Sequence, residues 1–142
     1  MSEKKVLRNK ILIIGCGRLG SSIANKYSHQ GKNVMVVDIH EDNFDRLADN
    51  FMGYTFNGDA TDLSVLEKAG IETAKEIVIT TGVDNINLFV AHVARKIYDV
   101  PNIFVRLEDP DNEQLLKGYK INAIFPFELS IDEFNRLNGG SK

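Results

Sequence analysis

The sequence predicts an α/β domain built on a Rossmann-like, doubly wound, six-stranded parallel sheet in three layers. Three observations carry that expectation. Apolar runs of strand length alternate with segments whose apolar residues recur at helical spacing. The strand-like runs, such as Ile11-Leu12-Ile13-Ile14 and Val34-Met35-Val36-Val37, are apolar at successive positions, so helices should cover both sheet faces. A glycine-rich turn, Gly15-Cys16-Gly17-Arg18-Leu19-Gly20, falls directly between the first strand and the first helix.

The first unit is a strand over Lys10–Ile14 and a helix over Leu19–Gln30, which Gly31 ends. A strand over Asn33–Asp38 and a helix over Glu41–Asn50 form the second. The third strand, Tyr54–Asn57, leads to a helix over Asp62–Ala69 that stops at Gly70. A strand over Glu76–Thr80 and a helix over Asn85–Tyr98 follow, and Pro101 sets the start of the strand over Ile103–Arg106. Pro110 and Gly118 bracket a helix over Glu113–Tyr119. The last pair is a strand over Ala123–Phe125 and a helix over Ile131–Leu137. The domain therefore runs over residues 10–137, after a charged extension (1–9) and before a flexible tail or linker (138–142).

With 142 residues and 43% apolar side chains, the chain suffices for one core and is short for two. Lys and Arg number 17 against 20 Asp and Glu, and the net charge of −3 argues against a nucleic acid partner. No apolar stretch approaches the roughly 20 residues that span a bilayer, so neither direct membrane insertion nor ion conduction by this chain alone is expected. The charged start lacks the apolar core of a secretory signal, and the single cysteine, Cys16, has no partner for a disulfide. The expected setting is cytoplasmic.

In the glycine turn, Gly15 permits the tight bend, Gly17 lets backbone approach a diphosphate, and Gly20 lets the helix pack closely on the strand. The helix start, with Arg18 and Leu19, offers unpaired N–H groups to anionic oxygens. Asp38 closes the second strand, where a carboxylate accepts ribose hydroxyls and repels a 2′-phosphate, so NADP is disfavoured. Ile39 follows it at the crevice rim. Arg18 is either a phosphate ligand, to its own nucleotide or a neighbouring subunit's, or an exposed helix-start arginine. Cys16 is a small packing residue or, with a thiol acidified by the helix end, a redox sensor.

Two further loops lie at strand carboxyl ends. In Asn57-Gly58-Asp59-Ala60-Thr61-Asp62, Asp59 and Ala60 suit contact with a base, while Asp59 or Thr61 can cap the next helix. In Thr80-Thr81-Gly82-Val83-Asp84-Asn85, Thr80 and Gly82 are the contact candidates, and Asp84 or Asn85 suits N-capping. No catalytic constellation accompanies the loops. His29, His40 and His92 have no metal-ligand spacing, no serine sits in a nucleophile elbow, and the phosphate-binding loop of ATP hydrolases is missing.

Gly15-x-Gly17-Arg18-x-Gly20, Asp38, Gly58-Asp59-Ala60-Thr61 and the Thr-x-x-Asp-Asn loop together resemble the N-terminal domain of regulators of K+ conductance (RCK), also called KTN or TrkA-N domains. The resemblance runs from about Lys10 to Leu137. It implies a non-catalytic cytoplasmic regulatory subunit, a homodimer or ring bound peripherally at the inner face of the membrane to a K+ channel or transporter. Nucleotide occupancy then biases the gate. By position, Gly15, Gly17 and Gly20 would cradle phosphates, Arg18 would reach phosphate near a dimer contact, Asp38 would hold ribose, and Asp59 and Ala60 would lie at adenine. The arginine in the loop favours ATP, ADP or AMP, with NAD(H) the alternative. Many members continue into a second, smaller C-terminal domain, whereas this sequence stops at Lys142. A minimal NAD-dependent oxidoreductase is the competing reading, and a structural assembly module a third. Phe127, Leu129 and Phe134 are the interface candidates, with core packing the other account of the aromatic residues there.

Overall fold

A computed structural model describes residues 7–139. Six strands form one parallel sheet: β1 (Lys10–Ile14), β2 (Asn33–Asp38), β3 (Tyr54–Asn57), β4 (Ala74–Ile79), β5 (Asn102–Arg106) and β6 (Asn122–Ile124). The helices are α1 (Arg18–His29), α2 (Leu63–Ala69), α3 (Asp84–Lys96) and α4 (Pro126–Leu137). The strand order is β3-β2-β1-β4-β5-β6. From β1 the chain winds outward through β2 to β3, then returns to the other side at β4. That reversal opens a crevice beyond the carboxyl ends of β1 and β4, where doubly wound sheets take ligands.

Alternating side chains of each strand enter opposite cores. Ile11 and Ile13 of β1 join Val34, Val36 and Val78 under α1, while Leu12 and Ile14 join Val37, Ile77, Ile79, Ile103 and Val105 under α2 and α3. Neither face is covered out to its edges: on the second, Tyr54 of β3 is 64% exposed. On the α1 face, Phe104 and Ile124 are half-buried beside a groove of about 330 Å³, which Tyr27 crosses by donating a hydrogen bond to Glu76.

Two expected helices are short 3₁₀ turns instead. Over Glu41–Arg46, Asn43 turns its amide onto Asp38 rather than leaving the backbone to close an α-helix. Beyond it, Asn25 accepts Ala48 N–H and Ser28 accepts Met52 N–H, drawing the chain out along α1. Over Pro110–Leu116, Asp109 caps the first turn and Asn112 donates to Asp84, so the segment is anchored from outside and stops before Gly118. The last helix, in contrast, begins earlier than its apolar spacing indicates, because Pro126 fits the first helical turn, where its missing N–H has no partner to lose.

The charged extension is partly tied down. Arg8 donates to the carbonyls of Ala74 and Tyr98, and Asn9 N–H to Thr73. Residues 1–6 of that extension and 140–142 of the expected tail lie outside the described residues. No helix among the described residues is long and apolar enough to cross a membrane.

Candidate functional site

The crevice holds a cavity of about 440 Å³ bounded by the ends of β1, β2, β4 and β5. Of the residues singled out from the sequence, Gly15, Gly17, Asp38, Ile39, Asp59, Ala60, Thr80 and Gly82 line it. Cys16, Arg18, Leu19 and Gly20 do not, and each is displaced for a physical reason.

Gly15 bends the chain off β1 at a φ of +97°, a conformation other residues rarely adopt, and donates its N–H to Val37 O at 2.8 Å. That turn brings Gly20 back against it: a Cβ on Gly20 would stand 1.9 Å from Gly15 O and 2.6 Å from Thr80 Oγ1. Gly20 thus fixes the helix on the strand and is buried out of the crevice. Thr80 Oγ1 donates to Ile14 O at 3.0 Å or Gly15 O at 3.1 Å from beneath, so it props the loop as well as lining the cavity. Gly17 is different, since a Cβ there would meet nothing within 4 Å. It is the N-cap of α1 and supplies no side chain to cap the helix, whose first turn also lacks an acid. The start of α1 therefore has no side-chain cap, and its N-cap Gly17 lines the crevice, an arrangement suited to a phosphate.

Asp38 lines the crevice beside the glycine turn and is 9% exposed. Its Oδ2 accepts Cys16 N–H and its Oδ1 accepts His40 N–H, both at 2.7 Å, and the Asn43 amide lies 3.2 Å from each oxygen. Three donors fix the carboxylate and leave capacity for a further hydroxyl. They also correct the reading of Cys16: its amide belongs to Asp38, and its side chain is fully buried under α1. Burial first, then the Asp38 charge, push the thiol up to about 11 against the opposing pull of Arg46, so the acidic redox cysteine is not found. Leu19 is half-buried and Arg18 is exposed.

The capping assignments also change. Asp59 accepts Thr61 N–H at 2.9 Å and the Thr61 hydroxyl at 2.7 Å, bonds that hold its carboxyl below the ordinary carboxylate value. The cap of α2 is Asp62, through Ser64 N–H at 2.9 Å. Neither Asp84 nor Asn85 caps α3, whose N-cap is Val83. Asp84 instead accepts the N–H groups of Glu108 (2.9 Å) and Asp109 (3.0 Å) and the Asn112 amide (2.9 Å). Partial burial opposes its ionisation, but those three bonds and the Arg106 charge outweigh it and hold its carboxyl below the ordinary value.

Two residues that the sequence reading passed over organise the far wall. Asn87 is fully buried and donates to Thr81 O at 2.9 Å and Arg106 O at 2.8 Å while accepting Thr81 N–H. It ties the β4 loop to the end of β5. Arg106 itself lines the crevice. Its position as the last residue of a strand was the available signal, because every strand of this sheet ends at the crevice side.

Residues 11–126 match the TrkA-N domain. A curated relative, the Trk system potassium uptake protein TrkA of Streptomyces coelicolor, is 33% identical over 126 residues, covering 89% of this chain. The chain spans about half the length of that relative, 56%. Among solved structures, the TrkA-N domain of the inner membrane protein ybaL from Escherichia coli superposes with a TM-score of 0.81 at 18% identity, covering 92% of this chain and 97% of that one. The Kef C-terminal domain of Shewanella denitrificans, solved in an AMP-bound form, gives a TM-score of 0.70 at 26% identity over 91% and 81% of the two chains. With a match that begins in β1 and closes at the first residue of α4, the chain belongs to the TrkA-N domain family.

Proposed function

We propose that residues 10–137 form the nucleotide-sensing domain of a K+ uptake system, acting by occupancy rather than by turnover. The observation that carries this reading is one cavity of about 440 Å³ lined by both the uncapped start of α1 at Gly17 and the fixed Asp38 carboxylate. The amides suit the phosphates of a nucleotide and Asp38 suits its ribose hydroxyls, with Ile39, Asp59 and Ala60 at the base. Relatives named for potassium uptake and an AMP-bound structural neighbour support the same assignment. Adenine nucleotides are the favoured ligands and NAD(H) the alternative.

Regulation requires ligand affinity to differ between two conformations of an assembly. The assembling surface in this reading is α4, none of whose side chains is buried, with Phe127 60%, Leu129 61% and Phe134 61% exposed. Arg18, exposed and not lining its own crevice, would in this reading reach the nucleotide of a second copy. The assembly sits on the cytoplasmic side of a membrane K+ channel or transporter. The oxidoreductase reading has less support. The β4–β5 half of the crevice is walled by Thr81, Gly82, Val83, Ile86 and Arg106, which offer no histidine, cysteine or carboxylate as an acid or base for hydride chemistry.

Calorimetric titration of AMP, ADP, ATP, NAD+ and NADH into the purified chain tests the proposal. Saturable binding of adenine nucleotides without consumption is expected. Absence of binding by all five, or steady oxidation of NADH with an added carbonyl substrate, would sink it.

A further inference from the structure

Arg106 enters the crevice from the side opposite Asp38. Sheet register pairs Ile14 with Ile79 and Ile79 with Val105, so Arg106 stands one residue past the rung that ends β1 and β4. It is two strands from the glycine turn, about 10 Å across the sheet, a gap that an arginine side chain and the far phosphates of a nucleotide span together. Arg18 does not line the cavity, and Arg106 is the one lysine or arginine on the crevice wall among the described residues.

The backbone and side chain of Arg106 are held very differently. Its carbonyl is bonded by the buried Asn87 amide, and the next turn is pinned by Asp84. The guanidinium, in contrast, gives both Nε (3.1 Å) and Nη2 (2.6 Å) to a single oxygen of Glu108. The two side chains are 30% and 46% exposed. A guanidinium bonds best when its fork meets two oxygens, and a solvent-exposed ion pair contributes little, so a phosphate is the better partner and can displace Glu108.

We propose that Arg106 reads negative charge beyond the first phosphate, exchanging Glu108 for the terminal phosphate of a nucleoside di- or triphosphate. Resting on the nucleotide-binding assignment above, this makes Arg106 the residue that sets ligand preference. ADP and ATP are favoured over AMP, whose single phosphate stays at α1, and over NAD+, whose far end is a cationic ring that Arg106 repels.

The test is calorimetry with AMP, ATP and NAD+ on the full chain, on Arg106→Gln and on Glu108→Gln, with thermal melts of each. Arg106→Gln should weaken ATP about tenfold, leave AMP within about twofold, and leave NAD+ unchanged or tighter. Glu108→Gln, which frees the guanidinium, should tighten ATP about threefold. An unaltered ATP-to-AMP ratio in Arg106→Gln, or an equal loss of both, overturns the assignment. If that variant does not fold, Glu108→Gln decides alone, and unchanged or weaker ATP binding overturns it. Failure of the unaltered chain to bind any nucleotide removes the nucleotide reading itself. Binding with an unmoved ratio removes only the role of Arg106.

Discussion

The two halves of the sheet are built on different principles. In the β3-β2-β1 half, β1 and β2 are packed on both faces, β3 is a largely exposed edge, and the crevice wall is fixed by main-chain amides converging on one carboxylate, Asp38. The β4-β5-β6 half is packed fully on one face only, and its wall is tied by side-chain brackets, Asn87 and Asp84. It ends in a three-residue edge strand and a helix that buries nothing. The first half is preorganised to hold a ligand. The second combines the exchangeable Arg106–Glu108 pair with unpartnered apolar surface, and suits transmission of occupancy to a neighbour.

The largest effect should come from the seam between the halves. Gly20→Ala puts a methyl group where 1.9 Å separates it from a backbone carbonyl, so α1 must lift from β1. A loss of about 3 kcal/mol, or about 10 °C in melting temperature, is expected, together with nucleotide binding. Gly17→Ala, whose added carbon meets nothing within 4 Å, should melt like the unaltered chain yet bind nucleotide more weakly. Equal melting temperatures for Gly20→Ala and the parent would show that the seam is looser than described.

Next come the two wall-setting side chains. Asn87→Ala strands the Thr81 and Arg106 backbone groups in a fully buried position, for a loss of about 2 kcal/mol in urea unfolding. Asp38→Asn turns one amide N–H toward the donors of Cys16, His40 or Asn43, for about 2 kcal/mol as well. The comparison is sharpened by ligand: Asp38→Asn should weaken AMP binding strongly, and Asn87→Ala should spare AMP while weakening ATP. The reverse pattern would exchange the roles assigned to the two halves.

Acid should loosen the second half through Asp84. Its carboxyl is held below the ordinary value, so its contribution is complete above the unfolded-state pKa near 4 and is lost as pH falls through the lower folded-state value. Melting temperature should therefore fall more steeply between pH 5 and about 3 in the parent than in Asp84→Asn. Parallel curves would remove Asp84 as a pH-sensitive bracket.

What the sequence made legible follows the same division. Gly15, Gly17, Gly20 and Asp38 were readable because a strand, a tight turn and a helix start set their roles within a few residues, and the alternation of patterns fixed six strands to within a residue or two. Asn87, Asp84 and Arg106 were not. The bonds by which they bridge the β4 loop and the end of β5 span 19 to 28 residues, across strands whose adjacency only the folded order β4-β5 creates. The two 3₁₀ turns escaped for a related reason: Asn43 spends its side chain on Asp38, five residues back, and Asn112 on Asp84, 28 residues back, bonds that helical periodicity does not register.

The smallest effect on the monomer should come from α4, and it bears most directly on transmission. Helices α1 and α4 each have twelve residues, yet α1 buries Gly20, Ser21, Ala24 and Ser28 while α4 exposes Phe127, Ile131, Phe134 and Leu137. Small residues let α1 lie against the sheet. The large residues of α4 form a stripe at i, i+4 and i+7 from Phe127, and none of them is buried by the described residues. Removing apolar surface already in water changes folding stability by less than about 0.5 kcal/mol, so Phe134→Ser should unfold like the parent at high dilution. At high concentration it should lose mass in sedimentation, because an assembly is where that surface becomes buried. A Phe134→Ser chain that is both destabilised when dilute and unaltered in mass would mean that α4 packs on its own sheet in solution, and the contrast between the two halves would fail at its most exposed element.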